Sequence, residues 1–143
     1  EKHYNDLEPE TKEGAINFFF FFILYKRKEF DKSLEMLNKT KLSQFLFKLS
    51  IKTFYLRIYY EKGDFQSAGF ALDSYKQFLY KNKTISDAYR NVYLNFAGMY
   101  NDLLRTASGE KISGKNELMS KIETLSPNVY NKHWLIEMIG NLK

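Results

Sequence analysis

Not one of the 143 residues is a cysteine. Disulfides, thiolate metal sites and cysteine nucleophiles are excluded, and a reducing, cytoplasmic setting is expected. Proline is scarce at two and glycine at seven, so few breakers interrupt the chain. Long helices are expected rather than many short strands. The only histidines are His3 and His133, near opposite ends. No Ser/His/Asp set, paired-carboxylate site or metal-ligand cluster emerges from the spacing, so neither an enzyme nor a metal or other cofactor is expected. The longest unbroken apolar run, residues 18–25, has eight members. A membrane span needs about 20, so none is expected. The first residue is Glu1 rather than Met, so either processing removed a leader or the chain is expected to be part of a longer array.

What the chain does have is aromatic mass: 13 Phe, 11 Tyr and 1 Trp. Each ring buries roughly 150–250 Å², enough to fill the space between helices. The net charge of +5 is unevenly spread. Residues 1–14 carry five acids and two bases, and the remainder is basic. A basic body attracts nucleic acid, anionic lipid or an acidic protein segment, and it is also the ordinary surface of a lysine-rich protein.

One passage occurs twice. Tyr25-Lys26-Arg27-Lys28-Glu29-Phe30-Asp31-Lys32-Ser33 returns 35 residues later as Tyr60-Glu61-Lys62-Gly63-Asp64-Phe65-Gln66-Ser67-Ala68. Each copy joins the end of one apolar segment to the start of the next through a charged turn. A period near 34 is the mark of stacked helical hairpins, an all-α solenoid. Seven helices are expected, over residues 11–28, 31–41, 43–62, 65–82, from Thr84 or Ser86 as N-cap to 106, 116–125 and 129–142. Pro127 suits the first turn of the last of these. The expected organisation is one domain over 1–143. It holds a first repeat (14–42), a second (43–83), a divergent third (84–126) and a closing helix (127–143).

The third helix carries two apolar stripes. Phe47, Ile51, Phe54 and Ile58 form one, and Phe45, Leu49 and Leu56 the other. A surface helix has one stripe, so two predict neighbours on both sides. The fifth helix has a wide apolar face with Arg90, Leu94, Asn101 and Arg105 opposite. In the first helix, residues 18–22 are all phenylalanine and so fall on every face. Some of these rings should stay uncovered, which predicts self-association through residues 18–22 or cover by an earlier repeat. A rival cover is the acidic N-terminal stretch folding back through Tyr4 and Leu7.

The two turns resemble those of the tetratricopeptide repeat. Lys62-Gly63-Asp64-Phe65 with Ala68 matches that family's Gly-Asp-aromatic turn and following small residue. Lys28-Glu29-Phe30 with Ser33 departs from it by replacing Gly with Lys28. The family's Trp and Leu-Gly pair are missing, with Lys52 and Tyr55-Leu56 near those positions. The chain also resembles the C-terminal part of bacterial repeat proteins. The resemblance covers about residues 14–82 and implies a protein-binding scaffold with a concave groove. By register it places Ser50, Thr53, Arg57, Tyr60 and Glu61 in that groove, and the polar side of the fifth helix is expected to extend it with Arg90, Asn101 and Arg105. The expected partner is a peptide or acidic segment of a protein. The alternative is single-stranded nucleic acid, bound by the interleaved basic and aromatic residues.

Other motifs are weaker. Residues 109–115 match the spacing of a phosphate-binding loop, G-x-x-x-x-G-K. A helix is expected before it and Asn116 replaces the magnesium-binding hydroxyl, so a plain loop is expected. Asn38-Lys39-Thr40 and Asn82-Lys83-Thr84 fit the glycosylation pattern, but helix-end chemistry accounts for them.

Overall fold

The computed structural model describes residues 9–39, 45–110 and 113–143, apart from the side chains of residues 9–11 and 46. Among the described residues the chain is all-α, with no strand. The helices are α1 (Pro9–Lys26), α2 (Phe30–Lys39), α3 (Phe45–Lys62), α4 (Phe65–Lys81), α5 (Asp87–Ala107), α6 (Lys115–Leu125) and α7 (Lys132–Gly140). None is long and apolar enough to cross a membrane. His3, Tyr4, Leu7, Thr40, Ser43 and the middle of the 109–115 loop lie outside the described residues. The chain divides into two compact units, Glu1–Asp64 and Phe65–Lys143, and the division falls inside the second copy of the repeated turn.

In the first unit α1 and α2 form a hairpin, and α3 packs on it. The turn after α1 closes with the Lys28 N–H donating to the Tyr25 carbonyl (2.9 Å) and the Glu29 N–H to the Leu24 carbonyl (3.0 Å). The turn after α3 repeats this 35 residues on: Gly63 N–H to Tyr60 (3.0 Å) and Asp64 N–H to Tyr59 (2.9 Å). Both are helix stops that need one residue in the left-handed region. Gly63 supplies it at φ 78° and Lys28 at φ 59°. Ser33 and Ala68, the paired small residues, are both fully buried. The Ser33 hydroxyl donates to the Phe30 carbonyl at 2.7 Å, which satisfies it inside the hairpin.

The first-unit core is built from Phe21, Tyr25, Leu37 and Ile58, with Phe18, Phe30, Leu34, Ile51 and Phe54 packed around them. Phe54 is its hub. Its ring meets Phe21 at 4.9 Å, Tyr25 at 5.4 Å and Phe18 at 5.8 Å, each edge-on, the geometry that aromatic quadrupoles favour. One apolar stripe of α3 thus faces α1. Phe47, expected on that stripe, is exposed, while Leu49 and Leu56 on the other stripe are buried.

In the second unit α5 is central and packs against α4, α6 and α7. It starts where Ser86 caps it, accepting from the Tyr89 N–H at 3.1 Å. Thr84 is not the cap; its hydroxyl bonds Asn82 instead. The wide apolar face of α5 is buried through Tyr93, Phe96, Met99, Tyr100, Leu103 and Leu104. Phe96 meets Tyr75 of α4 at 5.9 Å, and Tyr100 stacks on Trp134 of α7 at 6.0 Å. One boundary is corrected. Pro127 does not begin the last helix; residues 126–131 form a turn, and α7 starts at Lys132 after Asn131 at φ 57°. The Tyr130 N–H donates to the Val92 carbonyl at 3.2 Å, which holds this turn against α5.

Candidate functional site

The polar line of α3 is tied into its own unit. Thr53 is 1% exposed, and its hydroxyl donates to the Leu49 carbonyl at 2.8 Å. Arg57 lies over the rings of Phe54 (4.9 Å) and Tyr25 (5.1 Å), and its Nε donates to the Tyr25 hydroxyl at 3.1 Å. Tyr25 donates in turn to Glu61 Oε2 at 2.6 Å. Arg57, Tyr25 and Glu61 are therefore one half-buried network joining α3 to α1. Burial, with the carboxylate of Glu61 second, holds the Tyr25 hydroxyl well above the usual phenol range. Tyr60 is half-buried, and its pKa is pushed up to about 12 by burial. Ser50 is half-buried as well.

Arg90 is equally committed. Its guanidinium donates to the carbonyls of Leu79 (3.0 Å) and Asn82 (2.7 Å) and pairs with Asp87 (2.7 Å). It closes the C-terminal end of α4, where helix carbonyls lack partners. Arg105 pairs with Glu110 at 2.7 Å on the surface. Asn101 differs, because it lines an open groove between α5 and α6.

That groove has a volume of about 640 Å³. From α5 it takes Leu94, Gly98, Met99, Asn101 and Asp102, and from α6 it takes Glu117, Ser120, Lys121 and Leu125. The sequence signal on α5 was legible, since Leu94 and Asn101 stand on its predicted polar side. On α6 only a short line of polar residues marks the facing wall. Across the groove Lys121 Nζ meets Asp102 Oδ2 at 2.9 Å, and this hydrogen bond raises the Lys121 pKa. Asn95 is fixed at one end, donating to the Asn128 carbonyl at 2.8 Å. Gly98 sits in the middle of α5, where a Cβ would meet nothing within 4 Å. Mid-helix glycine costs about 1 kcal/mol against alanine, and packing does not require it here.

The loop with phosphate-loop spacing follows helix α5, and Gly114 caps α6. Lys115 donates to the Gly140 carbonyl at 2.9 Å, at the end of α7. His133 is exposed and neighbours the buried Trp134. Comparison with protein-family models, with curated proteins and with solved structures finds no match to this chain.

Proposed function

We propose that the chain is a non-catalytic, cytoplasmic protein-binding scaffold. We read it as a tetratricopeptide-like α-solenoid whose second unit takes a segment of a protein partner along the α5–α6 groove. The repeated turn supports the repeat reading, because two hydrogen-bond patterns recur at a spacing of 35 residues. The observation that carries the binding reading is Gly98, an exposed mid-helix glycine that lines the groove. A bare backbone there lets a partner approach closely, at a cost in helix stability that packing does not demand. Leu94 and Leu125 offer apolar area, and Asn101, Asp102, Glu117 and Lys121 offer polar groups. The Lys121–Asp102 pair is exposed enough to be worth only about 0–1 kcal/mol, so a partner carboxylate can displace it cheaply. Arg57 and Arg90 act in this reading as structural residues rather than as the partner's anchors.

The test is affinity capture from the native host, followed by binding measurements with the captured protein on Gly98→Leu and Gly98→Ala variants. Leucine fills the groove and is expected to weaken binding at least tenfold. Alanine is expected to stabilise the protein by about 0.5–1 kcal/mol with a smaller loss of binding. Unchanged affinity in Gly98→Leu refutes the groove. Single-stranded nucleic acid is the competing class. It predicts binding to oligonucleotides that falls steeply with salt. The burial of Phe21, Tyr25, Tyr75, Phe96, Tyr100 and Trp134 removes those rings from any stacking surface.

A further inference from the structure

Helix α1 buries one face and leaves the other bare. Gly14, Phe21 and Tyr25 are buried, and Phe18 packs beside them. On the outer side Ile16 is 41% exposed, Phe19 62% and Phe20 50%, with Ile23 half-exposed between them; Phe22, on the flank, is 39% exposed. With an arc of about 100° per residue, Ile16, Phe19, Phe20 and Ile23 form one continuous stripe. Scattered apolar side chains on a surface need no explanation, but a contiguous stripe does.

We propose that this stripe is the contact between two copies of the chain, paired antiparallel through α1. The first argument is area. Phe19 and Phe20 on the stripe offer roughly 220 Å² of ring surface, taking about 200 Å² per ring, and Phe22 adds about 80 Å² at its flank. Ile16 and Ile23 add to this. A stable interface needs about 800 Å² per partner, of which somewhat more than half is apolar. The stripe thus supplies most of the apolar centre of a small interface and too little for a large obligate one. A dimer of micromolar rather than nanomolar affinity is expected.

The second argument is charge. In a two-fold contact each residue on one copy meets its counterpart on the other with roles exchanged. A two-fold axis at Phe20 sets Ile16 near Ile23 of the second copy. It also sets Glu13, seven residues before Phe20, beside Arg27, seven residues after it. Glu13 and Arg27 are both exposed and lie on the same side of the stripe. The N-terminal end of α1 carries Glu10, Lys12 and Glu13, and Lys26 at its C-terminal end is followed by Arg27 and Lys28 in the turn. Antiparallel pairing places the acidic end against the basic one and opposes the helix dipoles, while parallel pairing stacks like on like. Lys26 already lies over the Phe22 ring at 5.3 Å, so the basic end borders the aromatic stripe directly.

Sedimentation of the 143-residue chain from about 1 to 300 µM tests the proposal, the range being set by the micromolar affinity expected. A reversible monomer–dimer equilibrium is expected. Phe19→Glu should raise the dissociation constant at least tenfold with unchanged helical circular dichroism, because this ring lies outside the core. Glu13→Arg and Arg27→Glu should each weaken the dimer, and the double exchange should restore it. A monomer throughout the range overturns the proposal. So does a dimer insensitive to Phe19→Glu. A dimer that Phe19→Glu disrupts but the charge exchange does not restore overturns the antiparallel register.

Discussion

Lys28 is where one residue bears a cost that its repeat partner avoids. Gly63 enters the left-handed region freely, having no Cβ. Lys28 holds φ 59° with a side chain whose Cβ crowds the neighbouring carbonyl. Lys28→Gly is therefore expected to stabilise the first unit by about 1 kcal/mol, after allowance for the greater freedom of glycine in the unfolded chain. Thermal denaturation should show a rise of about 3–5 °C. The reciprocal change, Gly63→Lys, should lower the midpoint by a similar amount. Equal midpoints for Lys28→Gly and the parent would mean that the backbone relaxes at this turn. Such a position is half legible in sequence. Alignment of the two copies shows Lys where Gly stands, but only the backbone shows that the turn geometry survived the exchange.

At the scale of the element, the end of α4 depends on a side chain from the next helix. Arg90 satisfies the Leu79 and Asn82 carbonyls and reaches them from the first turn of α5, with Asp87 on its other side. The fork geometry of guanidinium makes two separate carbonyl bonds possible, which a lysine ammonium matches poorly. Arg90→Ala should cost about 1–3 kcal/mol, and Arg90→Lys should recover only part of it. Amide hydrogen exchange should localise the loss to the last turn of α4. Uniform exchange across the second unit would contradict a local capping role. Helical phase predicted this face of α5 as open and polar. It could not show that the first residue of that line folds back on the preceding helix, because that contact depends on the length of the α4–α5 turn.

Across the whole chain the tyrosines couple stability to alkaline pH. Burial is the leading cause that raises the pKa of Tyr25 and Tyr93, and it raises Tyr60 to about 12. In the unfolded chain these phenols titrate near 10. The folded protein therefore keeps protons that the unfolded chain releases. Their contribution is complete below about pH 10 and is lost as pH rises through the folded values. Urea midpoints measured from pH 8 to 11.5 should be flat at first and then fall. Tyr25→Phe should lower stability at pH 8, since Glu61 loses its donor, and should flatten the alkaline decline. A parent protein as stable at pH 11.5 as at pH 8 would rule this coupling out.

The repeated turns, the helix content and the aromatic character of the core follow from local sequence. Turn chemistry at residues 60–65, the scarcity of proline and the apolar periodicity of α3 and α5 act over a few residues each. Residues 18–22 show the limit of that reading. Identical side chains cannot say which of them is buried, and only the packing of α2 and α3 chose Phe21 and left Phe19 and Phe20 bare. The polar line on α3 is the same case. Periodicity set Thr53, Arg57 and Glu61 in one row, but the approach of α1 brought Tyr25 between Arg57 and Glu61 and joined them in a network. The α5–α6 groove was decided last of all. Its two walls come from helices separated by a loop, and only the folded core, in which α5 packs against both α6 and α7, brings them together.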